Sequence, residues 1–340
     1  MKKLIITSML LSFVVAAASG QGQVVYSLPG YGTYINDGTL NGDTQISGIA
    51  ADHIAVGQFD ADDDYEIVYS LPGYGIWINQ GANGTDTQIS GSNPLSLTTA
   101  DFDNDGIDEV VFSLTTYGTY RNNRTMGGDT QISGAQTAVL TSGNFLSANP
   151  GEEVAFTYPG VGTYVNPGVL NADTYIGVPS SVLASGDAIA GGADEIGMNY
   201  AGYGSYMHEV GVGDTQFNGT QSDLMASGDF DGNGSVEWAF NLPGIGLYQN
   251  PGASGSDTFI AGSVAGLVAG DMDGDAADEL VYVVSGFGTY LNNEGVQTQL
   301  SGIDAGAMAY LPAAIPEPGT LGLFGLLGGG LLWFRKRFSI

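Results

Sequence analysis

Cysteine is absent from the 340 residues of the chain, and histidine occurs only twice, as His53 and His208. Disulfide bonds are therefore excluded as a source of stability, and so are zinc sites built from cysteine and histidine. Most nucleophile–base pairs of hydrolases also lack their usual components. His208 stands where the neighbouring repeats carry asparagine, and His53 is expected in a loop before a strand, so neither indicates catalysis.

Basic residues are scarce as well. Five of the seven Lys and Arg residues lie at the two extreme ends, which leaves Arg121 and Arg124 for the rest of the chain. With 36 Asp and Glu residues, the formal net charge is −29. Nucleic acid is thereby excluded as a partner, because phosphate binding requires a basic surface. Anionic membrane surfaces are disfavoured for the same reason.

The first 20 residues have the pattern of a secretory signal peptide. Two lysines are followed by an apolar run at 4–15 and by small residues at 16–20. Cleavage is predicted between Ala18 and Gln21. The apolar run is too short for a transmembrane helix, so the mature chain is expected to be exported.

Residues 313–340 combine a Pro-Glu-Pro triplet at 316–318, a Gly- and Leu-rich segment at 321–334 and an Arg-Lys-Arg end at 335–337. This tail resembles the PEP-CTERM sorting signal. The resemblance implies processing by exosortase-type machinery and only transient membrane contact through the tail. It also implies a final location at the cell surface or in the extracellular matrix of a Gram-negative bacterium. A permanent C-terminal anchor is the alternative.

Residues 21–312 form a repeat array. One aromatic position marks each repeat at a spacing of 42 to 44 residues. The markers are Tyr34, Trp77, Tyr120, Tyr164, Tyr206, Tyr248 and Tyr290. Such a period is typical of a four-stranded propeller blade. The predicted fold is therefore all-β, a seven-bladed β-propeller.

The two ends of the array complement each other. It begins at 23–26 with a second strand that has no first strand before it, and it finishes at 305–310 with a first strand that has no acidic loop after it. We expect one C-terminal strand and three N-terminal strands to complete a single blade. Closure of this kind leaves no open sheet edge between blades.

Acidic loops follow several of the predicted first strands. In the loop at 101–109, acids occupy positions 1, 3, 5 and 9, and Gly106 lies at position 6. Alternate acidic side chains on a tight loop supply the oxygen ligands that Ca²⁺ requires, and the glycine permits the turn. The runs that follow are buried strands, whereas an EF-hand loop lies between helices. Solvated acidic turns without an ion are the alternative.

This loop has two nearly complete copies, one with Asn233 at position 5 and one with Ala276 at the glycine position, and we call these three the complete loops. Their candidate ligands are Asp101, Asp103, Asp105, Ile107, Glu109, Asp229, Asp231, Asn233, Ser235, Glu237, Asp271, Asp273, Asp275, Ala277 and Glu279. A fourth, weaker loop has Gln58 in place of its first acid and offers Asp60, Asp62, Asp64 and Glu66. The loops at 144–153 and 187–195 depart from the spacing and are expected to hold no ion.

These repeats resemble FG-GAP/VCBS repeats, as in the propeller of integrin alpha chains and in exported bacterial proteins. The loops at 101–109, 229–237 and 271–279 carry the resemblance. It implies Ca²⁺ between the first and second strands of a blade, and partner binding on the opposite face.

A second repeated position lies at the turn between the second and third strands. It is occupied by Tyr31, Tyr74, Tyr117, Val161, Tyr203, Ile245 and Phe287. These side chains either pack between blades or form a binding surface. Packing is favoured, because Val161 and Ile245 replace the aromatic residue in two repeats. Packing tolerates any apolar side chain, whereas stacking on a sugar requires an aromatic ring. If the surface does bind a ligand, Trp77, Tyr74 and Tyr117 are the candidate contacts.

Two functions fit these features. The first is a non-catalytic, calcium-binding surface or matrix module that binds extracellular polysaccharide, a surface protein or another cell-envelope component. The second is a polysaccharide-acting enzyme, a glycosidase or lyase, on a propeller scaffold. Glycoside hydrolysis needs two carboxylates about 5–10 Å apart. Nearly every patterned acid already belongs to a cation loop or to the recurring Asp-Thr-Gln strand, which favours the first function.

Overall fold

The repeats form seven four-stranded antiparallel sheets, which are the blades of a β-propeller. The computed structural model describes residues 21–313, except 61, 63, 82–83, 190–191 and 252–255. Within this part of the chain there are 28 strands and no helix, and therefore no helix that could cross a membrane. The predicted signal peptide and residues 314–340 of the predicted tail lie outside the described residues.

The strands of each blade are named from the propeller axis outward as inner, second, third and outer. The inner strands are β28 (Met308–Leu311), β4 (His53–Gly57), β8 (Ser96–Ala100), β12 (Leu140–Gly143), β16 (Leu183–Gly186), β20 (Leu224–Gly228) and β24 (Gly266–Gly270). The second strands are β1 (Gln23–Leu28), β5 (Glu66–Leu71), β9 (Glu109–Leu114), β13 (Glu153–Tyr158), β17 (Glu195–Tyr200), β21 (Glu237–Leu242) and β25 (Glu279–Val284). The third strands are β2 (Gly32–Asn36), β6 (Gly75–Asn79), β10 (Gly118–Asn122), β14 (Gly162–Asn166), β18 (Gly204–Glu209), β22 (Gly246–Asn250) and β26 (Gly288–Asn293). The outer strands are β3 (Asp43–Ser47), β7 (Asp86–Ser90), β11 (Asp129–Ser133), β15 (Thr174–Gly177), β19 (Gly213–Asn218), β23 (Thr258–Ala261) and β27 (Val296–Ser301).

The first blade closes the ring with strands from both ends, as predicted. Its order is β28-β1-β2-β3, and Gln23 of β1 pairs with Leu311 of β28. Just beyond the last paired residues, Tyr26 and Met308, Ser27 N–H donates to the Ala307 carbonyl at 2.9 Å, and Ala307 N–H donates to Ser27 Oγ at 2.8 Å. Each inner strand also packs against the inner strands of both neighbouring blades, so the ring is continuous.

The inner strands end at a small residue, as at Gly57. The backbone of the next residue, Gln58, leaves the ladder because its carbonyl accepts the N–H of Asp108 in the adjacent blade at 2.7 Å. His53 is the first residue of β4, so its predicted position in a loop was wrong.

The hydrophobic core is divided into seven clusters that lie between blades. The second strands are buried on both faces, as in β5, because each lies between two neighbouring sheets. The outer strands are mostly exposed, and their Thr and Gln residues suit that position. Each blade therefore depends on its neighbours for its core, as expected of a repeat architecture.

Every third strand contains a register shift against its outer strand at the aromatic marker, as between Thr119 and Tyr120. The glycine that opens the strand is required there. Gly118 has φ +103°, and a Cβ on it would lie 2.3 Å from the Ser133 carbonyl oxygen.

Because strands alternate in direction, the acidic loops lie on one face of the propeller. The turns between second and third strands lie on the opposite face, which we call the turn face.

Candidate metal loops and a ring of exposed turn residues

The acidic loops bring carboxylates together in groups of three whose oxygen atoms lie within 4.8 Å of one another. In the described part of the chain the groups are Asp60, Asp62 and Glu66; Asp101, Asp103 and Asp105; Asp229, Asp231 and Glu237; and Asp271, Asp273 and Glu279. Two oxygens that each lie about 2.4 Å from one Ca²⁺ can be at most about 4.8 Å apart. All four groups could therefore hold a metal ion of this size.

The first aspartate of each complete loop holds the loop in shape. Asp101 Oδ1 accepts the N–H of Asp105 at 3.1 Å, and its Oδ2 accepts the N–H of Gly106 at 2.8 Å. Asp229 makes the same pair of hydrogen bonds in its own loop. These bonds explain why position 1 is an acid and why the loop folds back on it.

Position 6 of the complete loops has a left-handed backbone. Gly106 and Gly234 have φ of +85° and +88°, and Ala276 takes the same conformation at +77°. This conformation is unfavourable for a residue with a Cβ. Ala276 therefore keeps the loop geometry of its two counterparts at a cost in local strain.

The glutamate at position 9 is anchored from within its blade. Glu66 Oε2 accepts the N–H of Phe59 at 2.6 Å, and Glu279 Oε2 accepts the N–H of Met272 at 2.6 Å. Burial, together with a smaller effect of the neighbouring aspartates, raises the pKa of both carboxyls to about 7 against the lowering effect of these hydrogen bonds. A bound divalent cation would favour the charged form of both groups.

Some predicted ligands lie outside the carboxylate groups. Glu109 does not join the group of Asp101, although its Oε2 faces the N–H of Phe102 at 3.4 Å. Asp64 and Asp275 are likewise not members, and the latter accepts the N–H of Ala277 at 2.9 Å. Participation of these residues, and of Ile107, Asn233, Ser235 and Ala277, remains a prediction.

In the loop at 144–153, the glutamate accepts hydrogen bonds from protein groups on both of its oxygens. Glu153 Oε2 accepts the N–H groups of Phe145 and Leu146 at 2.8 and 3.0 Å, and its Oε1 accepts Asn149 Nδ2 at 2.6 Å. Protein donors thus occupy both oxygens. No group of three acids occurs among the described residues of this loop or of the loop at 187–195.

In four of the loops, an acid just before the position-9 glutamate links the loop to the preceding blade. Asp194 N–H donates to the Asn144 carbonyl at 2.7 Å, and Asp194 Oδ2 accepts the Asn144 N–H at 2.8 Å. Asp108 forms the same reciprocal pair with Gln58. Burial raises the pKa of Asp194 and Asp108 above the usual range of aspartate. Sequence reasoning missed this link, although paired acids at 108–109, 152–153, 194–195 and 278–279 signal it.

The turn residues are exposed, which makes the predicted packing between blades wrong. The seven side chains, which we call the turn ring, are between 52 and 71 % exposed. Each turn is closed by a backbone hydrogen bond, as from Tyr74 N–H to the Leu71 carbonyl at 2.9 Å. The chain reverses direction over too few residues for the turn side chain to reach a neighbouring blade, so it projects from the turn face.

Trp77 lies beneath the turn of its blade and is less exposed than the turn-ring residues. It is half-buried, and its indole N–H donates to the Tyr74 carbonyl at 3.2 Å. Gln88 Nε2 donates to the same carbonyl at 2.6 Å. Tyr120 and Gln131 hold the carbonyl of Tyr117 in the same way. Of the three candidate ligand contacts, Tyr74 and Tyr117 are therefore exposed and Trp77 holds the turn.

The fourth and sixth blades display an aromatic residue in a different place. They carry Val161 and Ile245 in the turn ring, and Tyr175 and Phe259 replace the supporting glutamine of the outer strand. Both aromatic rings are more than half exposed. Each packs edge-on against the marker tyrosine of its blade, with centroids 5.5 Å apart. The aromatic residue has thus moved within these blades, and every blade presents one.

His208 takes the structural role expected of it. Its Nδ1 lies 2.6 Å from Asp214 Oδ1, and Asn79 Nδ2 donates to Asp86 at the equivalent place at 2.7 Å. His53 lies opposite Ser70 in the ladder between β4 and β5, and its backbone N–H donates to Ser70 Oγ at 3.1 Å.

Comparison with known proteins identifies the tail. Residues 314–337 match the model of the PEP-CTERM protein-sorting motif. This motif implies processing by exosortase-type machinery, and it indicates export and cell-surface sorting in bacteria. No curated protein matches the chain.

Solved structures show the propeller fold in proteins of unrelated sequence. A crystal structure of BBS1N in complex with ARL6DN, soaked with lead, is 11 % identical and covers 77 % of this chain and 86 % of its own, with a TM-score of 0.57. The same complex soaked with mercury is 10 % identical and covers 85 % and 89 %, with a TM-score of 0.57. A computationally designed protein, Ika8, is 9 % identical and covers 85 % and 91 %, with a TM-score of 0.51. At these identities the similarity concerns the fold alone.

Proposed function

We propose that this protein is an exported, calcium-binding surface module that is not itself an enzyme and that binds neutral polysaccharide through its turn face. The turn ring carries the proposal. Seven apolar side chains are exposed on one face, and each is held by a backbone hydrogen bond in its turn. Rigid aromatic rings lose little conformational freedom on binding and stack well on the apolar faces of sugar rings.

The negative charge of the chain favours neutral over anionic polysaccharides as ligands. A formal net charge of −29 repels anionic polymers at long range. The turn ring itself holds no charged side chain. A neutral polysaccharide therefore suits this surface better than an acidic one.

Calcium has a structural role in this proposal. The acidic loops lie on the face opposite the turn ring, so an ion bound there would not touch the polysaccharide. It would instead reduce repulsion among clustered carboxylates and stabilise the folded blade. The resemblance of these loops to FG-GAP/VCBS repeats supports Ca²⁺ as the cation.

The test is a glycan-binding screen of the exported protein in millimolar Ca²⁺, with neutral and acidic extracellular polysaccharides. Tyr74→Ala combined with Tyr117→Ala should weaken binding of a neutral polysaccharide about tenfold or more, because two stacking contacts are lost. The matched control is Leu40→Ala combined with Met126→Ala, since both residues are exposed apolar side chains on the opposite face. Equal loss in both double variants, or binding of acidic polymers alone, would contradict the proposal.

A further inference from the structure

The boundary between the sixth and seventh blades lacks a hydrogen-bonded acid that the other blades have. Six outer strands have an aspartate at or next to their first residue: Asp43, Asp86, Asp129, Asp173, Asp214 and Asp257. At two boundaries this acid also accepts a serine hydroxyl from the preceding blade, as from Ser90 to Asp129 at 3.0 Å and from Ser133 to Asp173 at 2.7 Å. In the seventh blade Gln297 replaces the acid, and Ala261 stands at the serine position.

The donors that meet this acid in the first and second blades are still present. In the second blade, the Tyr69 hydroxyl and Asn79 Nδ2 both donate to Asp86 Oδ1, at 2.5 and 2.7 Å. Their counterparts in the seventh blade are Tyr282 and Asn292, and neither forms the corresponding bond to Gln297. The Tyr282 hydroxyl is buried and has no hydrogen-bond partner among the described residues.

Tyr282 lines a cleft at this boundary. The cleft encloses about 460 Å³ and is lined by Tyr282 together with three further aromatic residues, Phe259, Phe287 and Tyr290. Phe287 belongs to the turn ring, and Phe259 is one of the two relocated aromatic residues, so both are exposed. A second cleft of about 400 Å³ shares Phe259 and Gln297 with the first and reaches Asn292. The two clefts adjoin at the boundary between the blades, and we call them together the groove.

Gln297 lines both clefts and is weakly held. Its side chain is exposed, and its Nε2 lies 3.5 Å from the Ile260 carbonyl oxygen, at the limit of a hydrogen bond. A ligand could therefore displace this side chain without breaking a strong bond. Displacement would allow the Tyr282 hydroxyl and the Asn292 amide to donate to one oxygen atom of a ligand. In the second blade, Tyr69 and Asn79 donate in this way to one oxygen of Asp86.

We propose that this groove binds one sugar ring of a neutral polysaccharide. Aromatic side chains supply an apolar wall for the ring, and Tyr282 and Asn292 would donate to a sugar hydroxyl in place of the missing aspartate. No charged side chain lines the larger cleft, whereas Asp278 and Glu294 line the adjoining one and would repel an anionic sugar. The proposal rests on the proposed function and assigns its specific subsite.

Two variants that restore the residues of the other blades test the groove. Gln297→Asp should give Tyr282 and Asn292 their usual acceptor and close the groove, and Phe259→Gln should remove an aromatic wall. Both residue types already occupy these positions elsewhere in the chain, so the fold should tolerate them. Titration calorimetry with neutral hexose oligosaccharides of three to six residues should show affinity about tenfold lower for each variant. Gln297→Ala, which leaves the donors open, should bind at least as well as the unaltered protein.

The matched control is Tyr175→Gln in the fourth blade. Tyr175 is the equivalent relocated aromatic residue, but the adjacent fifth blade retains Asp214, which accepts the Tyr200 hydroxyl at 2.9 Å. Affinity should be unchanged in this variant. Undiminished binding by both Gln297→Asp and Phe259→Gln would overturn the subsite and leave the proposed function intact, provided that the turn-ring variant still weakens binding. If the unaltered protein binds none of the oligosaccharides and no neutral polysaccharide, both proposals fail.

Discussion

Removal of calcium is the perturbation for which the acidic loops make the sharpest prediction. Asp103 is the most informative single residue, because its carboxylate is exposed and accepts no hydrogen bond from the described residues. Asp103→Asn keeps the size of the side chain and removes one charge from the group of Asp101 and Asp105. It should therefore lower stability when Ca²⁺ is present, and in EDTA it should leave stability unchanged or slightly higher because it relieves repulsion within the group.

The expected magnitude follows from the number of loops. An ion at a hundred times its Kd stabilises the folded state by about 2.7 kcal/mol per site. The three complete loops together would contribute about 8 kcal/mol by the same relation. For a domain of this size each kcal/mol shifts the Tm by about 2 °C, so chelation should lower the Tm by roughly 15 °C. Asp103→Asn should remove about a third of that difference.

The assay combines titration calorimetry with thermal unfolding in millimolar Ca²⁺ and in excess EDTA. Titration of the unaltered protein should show about three sites, with a weaker fourth at the Gln58 loop, and Asp103→Asn should lose one of them. Asp52→Asn is the control, since Asp52 is an exposed acid outside the loops. Identical melting curves with Ca²⁺ and with EDTA would refute the structural role of calcium.

Three further predictions concern the tail, one loop and one link between blades. Mass spectrometry of the exported protein should find a C-terminus before Leu321, and an intact basic end on a membrane-bound species would instead indicate a permanent anchor. Ala276→Gly should increase the free energy of unfolding by about 0.5–1 kcal/mol and so raise the Tm, because glycine adopts the left-handed backbone conformation at φ +77° without strain. Burial raises the pKa of Asp194 above its ordinary value of 3.8, so its contribution to stability is largest below that pH and is lost as the pH rises through the folded-state pKa. Asp194→Asn should therefore reduce the loss of stability with rising pH, as measured by urea denaturation at a series of pH values.

The ring and its closure could be predicted from the sequence because both depend on periodic features. Aromatic markers recur once per blade, and the unmatched strand segments at the two ends identify the blade that joins them. The positions of the acidic loops follow from the same period. The carboxylate groups then form largely within single loops, so neighbouring residues in the sequence suffice to specify them.

Features that arise between blades were not predictable in the same way. The reciprocal link of Asp194 with Asn144 joins residues 50 positions apart, and only the stacking of adjacent blades brings them together. The exposure of the turn ring depends on the direction in which a short turn projects. Substitution of Val161 and Ile245 suggested packing, whereas the structure shows that the aromatic residue has moved to the outer strand of the same blade.

Residues that differ from the repeat pattern become informative when the structure shows which of them lie close together. Phe259, Ala261 and Gln297 each depart from the pattern of the other blades, and any one of them alone could be drift. They lie up to 38 residues apart in sequence, yet the boundary between the sixth and seventh blades places all three at one cleft. The hydroxyl left without an acceptor there belongs to Tyr282, whose counterparts Tyr26 and Tyr69 donate to Asp43 and Asp86 in the first two blades. A functional site in this propeller is therefore expected where a preserved donor faces a lost acceptor.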